Sequence, residues 1–223
     1  LLIIFSIFFF VYFSKFSLVK KAYLENGFII SLNNLSLIFT IFCIFTLTLT
    51  LNMFDGIDGQ SLILYIFLLI YLFFFHNILF CAYLIIPLIV ILILNLNQKL
   101  YLGDNGVMVF SSILSVIIIK YNFLNHGAIY VDEILLILII PALDLIRLFF
   151  YRIYIKKNPL NGDSMHIHHL ITKHISKNKY IFFSIIFYSS LLFLMALKIN
   201  FIYLIVIVSI IYTVLLSWCF KKK

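Results

Sequence analysis

Apolar residues run almost unbroken along this chain, and the polar ones arrive in short clusters between the runs. Stretches of about 17–20 apolar residues recur, long enough to cross a bilayer as helices. They place spans at Leu1–Phe13, Leu35–Leu51, Leu62–Phe75, Ile78–Leu96, Val107–Ile119, Ile134–Tyr151, Tyr180–Leu197 and Phe201–Phe220. The expected fold is all-α, a polytopic transmembrane helical bundle of about eight spans forming one integral-membrane domain. Leu62–Phe75 and Val107–Ile119 are short for the task. Pro87 and Pro141 fall inside spans and are expected to kink them. A transmembrane β-barrel would need strands of alternating polarity, and the pattern has none. The first run carries neither a starting Met nor the charged flank of a signal peptide. It reads as the tail of a helix whose beginning is missing.

Composition sharpens the class. Hydrophobic residues make up 65% of the chain and charged ones 11%, whereas soluble domains are about a quarter charged. Cys43, Cys81 and Cys219 all lie inside apolar runs, with no disulfide or metal spacing, and read as small packing residues. The net charge of +8 reads as lysines on the cytoplasmic side rather than as a nucleic-acid surface. Arg152, Lys156, Lys157, Lys173, Lys177 and Lys179 crowd one connection, and the chain ends in three lysines. Two spans separate these clusters, so both fall on the cytoplasmic side. Counting back puts Asn52–Gln60 and Asn97–Gly106 on that side too. Lys15, Lys20 and Lys21 fall outside and run against the rule.

Three polar clusters therefore share one face, at the edge of the hydrocarbon, where ionisable groups are costly and usually functional. In "NMFDGIDG", Asp55 and Asp58 are three apart beside Asn52 and two glycines. On a helix both carboxylates would face one way, fit for a hard cation or a proton; the alternative is a pair of capping aspartates in a turn. In "KLYLGDNG", Asp104 precedes a span. It reads either as a helix cap or as a ligand for Mg2+, which takes one or two carboxylates and leaves the rest to water and phosphate. Lys99 suits a phosphate, and Tyr101 suits a base or the membrane interface. In "GDSMHIHHL", His166, His168 and His169 follow Asp163. With Arg152, Lys156 and Lys157 upstream they are expected to form a cationic surface for a diphosphate; zinc lacks a nearby Cys, and a plain solvated loop is the other reading. Asp144 and Arg147 sit three apart inside a span and can pair on one helix face. Arg152 either snorkels or reaches a phosphate. Together these groups point to phosphoryl transfer at a membrane surface.

These residues resemble the bacterial polyprenyl-phosphate N-acetylhexosamine-1-phosphate transferases along almost the whole chain. "NMFDGIDG" is similar to that family's Asn-x-x-Asp-Gly-x-Asp-Gly, "LGDNG" to its Met-Gly-Asp-x-Gly, and "GDSMHIHHL" to its Asp-Arg-x-His-x-His-His. The resemblance implies transfer of a sugar-1-phosphate from a UDP-N-acetylhexosamine to undecaprenyl or another polyprenyl phosphate. UMP is released, with Mg2+ (or Mn2+) as cofactor, at the cytoplasmic face of the bacterial inner membrane. It implies that Asp104 ligates the metal and that Asn52 and Asp55 line the cleft. Asp58 and Tyr101 would lie near the uridine, and His166, His168 and His169 near the diphosphate. The His-x-His-His form is similar to the branch serving O-antigen, enterobacterial common antigen or teichoic acid. A homodimer is compatible with this reading. The family's paired aspartates would precede Leu1. Ser164, Leu49 and Gln60 replace a usual Arg, Asn and Leu, which bears on donor contacts more than on reaction type. The competing expectation is a transporter with Asp144 and Arg147 lining a pathway. A transferase using CDP-alcohols lacks its Asp-Gly-x-x-Ala-Arg signature here.

Overall fold

The computed structural model describes residues 18–125, 129–158 and 164–221. Leu1–Phe13 and Asp163 lie outside them. The described chain starts with a small antiparallel hairpin, β1 (Lys21–Tyr23) and β2 (Ile29–Ser31), with Ala22 opposite Ile30. A 3-10 turn, Asn33–Leu35, leads into α1 (Ser36–Phe54). Then come α2 (Gln60–His76), α3 (Leu79–Leu96), α4 (Gly103–Leu124), α5 (Val131–Ile137), α6 (Ile139–Tyr154), α7 (Ile167–Thr172), α8 (Lys177–Ala196) and α9 (Phe201–Lys221).

The chain is an all-α polytopic membrane protein. Five of its helices are long and apolar enough to cross a membrane: Asn33–Phe54, α3, α4, α8 and α9. The bent pair α5–α6 makes a sixth if taken as one span. The expected eight is therefore too many among the described residues, for three separate reasons. Leu1–Phe13 is not described. The third apolar run, Leu62–Phe75, folds as α2, which has 17 residues; at 1.5 Å per residue it is about 25 Å long, short of the roughly 30 Å hydrocarbon core. The run around Pro141 is broken. Its two helices meet at Leu138 at an angle of 78°. Proline lacks an N–H and its ring crowds the carbonyl four residues earlier, here that of Ile137, the last residue of α5. Pro87, by contrast, is carried inside an unbroken α3.

α2 forms the centre. Leu62, Leu64, Tyr65, Leu68, Tyr71 and Leu72 are all fully buried, as expected of a helix that is apolar all round. α3 and α8 pack against it, and α1 lies between α4 and α6. α9 touches α5, α6 and α7. The outward faces of α3, α8 and α9 expose Ile86, Phe182, Phe183, Ile207 and Val214, a surface suited to lipid.

One end is closed by the hairpin. Glu25 N–H donates to Asp132 Oδ2 at 3.1 Å, and Phe201 N–H donates to Glu25 Oε2 at 3.1 Å. There the hairpin is tied to the first turns of two helices at once, and at α9 it satisfies a backbone N–H. The hairpin was not expected, since strands of three residues are too short to show a period. The opposite end holds the clusters singled out above.

Candidate functional site

Three connections meet at that end. α1 stops at Phe54, and residues 55–59 form a turn rather than a helix, with Gly59 at φ +85° just before α2. That left-handed backbone favours glycine. The two carboxylates therefore sit in a turn, the alternative to a shared helix face. Asp55 accepts a hydrogen bond from Ser61, while Asp58 faces Lys177 Nζ at 4.0 Å.

Asn52, in the last turn of α1, donates through Nδ2 to Asp104 Oδ1 at 3.3 Å. Asp104 itself is exposed, in the first turn of α4. The buried Asn95 ties the two connections together. It accepts from Gly59 N–H and donates to the Leu100 carbonyl at 2.8 Å. The Asp55 carboxyl is held above the ordinary carboxylate range. Burial is the main cause, and repulsion from Asp104 and Asp58 adds to it against the Ser61 hydrogen bond. Lys99 and Tyr101 lie exposed on the turn before Asp104, Tyr101 at 73%.

The histidines come in from the third connection. His166 precedes α7, and His168 and His169 are inside it. His168 is 0% exposed. Its ring stands edge-on to Phe54 at 6.0 Å and lies parallel to His166 at 5.4 Å. Its Nε2 points at Gly56, where an added Cβ would sit 1.9 Å away. Among the described residues, neither ring nitrogen of His168 has a hydrogen-bond partner. Burial pushes its pKa down to about 3, helped by repulsion from His169 and His166 and opposed by Asp144. The expected cationic histidine surface is thus corrected: His166 and His168 are buried, and burial favours the uncharged form of His168.

Asp144 and Arg147 prove to be part of the same end. Asp144 is 2% exposed. Its Oδ2 accepts from His166 Nδ1 at 2.9 Å, and Oδ1 accepts from Arg147 Nη2 at 2.8 Å and from the Tyr212 hydroxyl at 3.0 Å. The Ile167 N–H donates to both oxygens, at 3.2 and 3.3 Å. Arg147 also donates from Nε to the Tyr212 oxygen at 2.9 Å and from Nη2 to the Met165 carbonyl at 2.6 Å. Arg152 is 3% exposed and lines a small recess with Leu49, Met53 and His166, so it does not snorkel to solvent.

Beside the histidines opens an apolar groove of about 600 Å³ between α7, α8 and α9. Phe54, Ile167 and Tyr212 form its inner wall, and Phe183, Phe187 and Trp218 lie along it.

Asn52, Asp55, Asp104 and the histidines were legible as clusters between apolar runs. Ser61, Asn95 and Tyr212 were not singled out. An Asn inside an apolar run was a signal for Asn95; a Tyr among aromatics gives none. Among the described residues, no three His, Cys, Asp or Glu side chains form a ready metal cage. No known protein family matches the chain, and neither does any curated protein or solved structure.

Proposed function

We propose that this protein transfers a sugar-1-phosphate, N-acetylhexosamine-1-phosphate by preference, from a UDP-sugar to a polyprenyl phosphate, at the cytoplasmic face of the bacterial inner membrane. The observation that carries the reading is the meeting of the three connections. Asn52 bonds Asp104, and His168 rests on Gly56. The acidic and imidazole groups thus gather at one end of the bundle, and Phe54 and Ile167, their neighbours in the chain, line the apolar groove. A water-soluble diphosphate and an oily phosphate need such a boundary to meet.

The donor set fits Mg2+. Asp104 is exposed and Asp55 is crowded by like charge, and a hard cation bound by one or two carboxylates would relieve that crowding. Asp104 would hold the ion, with Asn52 orienting its carboxylate. When bound, the ion would offset charge on the phosphates. A lipid phosphate oxygen would form the new bond to the sugar-side phosphorus, and the bond from that phosphorus to UMP would break. Asp55, with its raised affinity for protons, is suited to take a proton from the attacking phosphate. Neutral His168 has one ring N–H to donate, unpaired among the described residues, and a phosphate oxygen reaching it would accept that hydrogen bond. The groove would take the first isoprenoid units.

The test is exchange of labelled UMP into a UDP-N-acetylhexosamine, in membranes carrying the full-length protein and polyprenyl phosphate. Exchange should require Mg2+ or Mn2+. Asp104→Asn should lower it by roughly 100-fold or more, the scale at which losing a positioned charge costs catalysis. Exchange at the wild-type rate in that variant would overturn the proposal.

A further inference from the structure

The Asp144 carboxylate sits where three elements converge. It is carried by α6, it holds the start of α7 through the His166 ring and the Ile167 amide, and it is held by Tyr212 of α9. Arg147 closes the set, since its guanidinium bonds Asp144, Tyr212 and the Met165 carbonyl. A membrane helix rarely carries a buried carboxylate beside a half-buried guanidinium unless each is engaged. Here every contact runs either to the histidine segment or to the residue that braces it. Three partners reach the carboxylate from other elements, a ring nitrogen, a backbone amide and a hydroxyl, and the Met165 carbonyl is bound through Arg147.

We propose that Asp144 and Tyr212 are positioning residues for the histidine segment. Together they fix the ring of His166 and the seat of α7 over Gly56. An imidazole whose Nδ1–H is given to a carboxylate presents Nε2 as its open nitrogen. The Ile167 bond holds the first amide of α7 at the same point, so ring and helix are set by one anchor. Tyr212 adds a second feature. Its ring is a wall of the apolar groove while its hydroxyl bonds the anchor. The seat of the histidines is therefore built onto the groove that the lipid would fill. This kinetic role rests on the transferase reading, whereas the structural role does not.

Two variants of the full chain separate the cases. Asp144→Asn removes the charge, and Tyr212→Phe keeps the ring and the Asp144–Arg147 pair while removing one hydroxyl. Hydrogen exchange, followed by mass spectrometry in nanodiscs, reads the Ile167–Thr172 segment directly. Its exchange should speed up by roughly 10-fold or more in Asp144→Asn and by less in Tyr212→Phe, with α3 unchanged. In the UMP-exchange assay kcat should fall by roughly 10–100-fold in Asp144→Asn, the usual cost of losing the partner that orients a working imidazole, while KM for the UDP-sugar moves by less than about threefold. Asp144→Glu should recover part of kcat. Unchanged exchange of Ile167–Thr172 in both variants would overturn the proposal whatever reaction the protein performs. Faster exchange with undiminished kcat would overturn it as a statement about the reaction. Faster exchange with no activity even in the wild type would support the anchor and sink the transferase reading alone.

Discussion

A Cβ on Gly56 would stand 1.9 Å from His168 Nε2, so the turn after α1 and the helix carrying the histidines can meet only if residue 56 has no side chain. Gly56→Ala must push α7 away or distort the turn, and overpacking of this kind costs about 1–3 kcal/mol. A thermal melt of the purified protein should show that loss. His168→Ala on the same background should recover most of it, because the three nearest atoms to the added Cβ all belong to that ring. Additive losses in the double variant would mean that the two residues do not touch. The glycine was visible in the motif, but its reason was not. Spacing within "NMFDGIDG" says that a backbone approaches something there, and only the fold says that the something is His168. The same holds for Asn95. Its amide joins two turns separated by a whole helical hairpin, a relation that periodicity does not carry.

At the scale of elements, the long apolar helices were legible to within a few residues. α1, α3, α8 and α9 follow uninterrupted runs, and burial in lipid demands that each backbone satisfy itself. The misses are the short elements. α7 has six residues and stands because its first amide and His166 are held by Asp144, not through its own periodicity. Its stability should depend on pH through His168. In an unfolded chain that ring takes up a proton near pH 6.5, and in the folded protein only near about 3. Between those values the unfolded state binds more protons, so stability should fall as the pH drops from about 6.5 toward about 3 and stay level above that window. Melting temperatures measured across this range should show the slope. His168→Phe should flatten it, and an equal slope in the variant would show that some other group is responsible.

For the whole molecule, the alternation of helices fixes which connections share an end. Residues 55–59, the turn at Tyr101 and the histidine segment lie at one; the hairpin, His76 and Asn200 lie at the other. Single cysteines at exposed Tyr101 and exposed Lys198, introduced into a chain lacking its native cysteines, should therefore react with an impermeant maleimide from opposite sides of sealed vesicles. Labelling of both from one side would break the arrangement on which the proposed site depends. The number of crossings was harder to read than their order, because hydropathy records how greasy a run is and not whether it continues straight. The shortness of α2 was visible in its run, whereas the bend at Leu138 is a geometric fact about a run that looks like an ordinary span.

The groove wall has a practical consequence. Trp218 is the chain's one tryptophan, and it lies along the groove with its ring 5.1 Å from that of His174. All of the indole emission of the molecule therefore originates beside the cavity. In the purified protein it is a built-in optical gauge of what enters there, readable without attaching any dye.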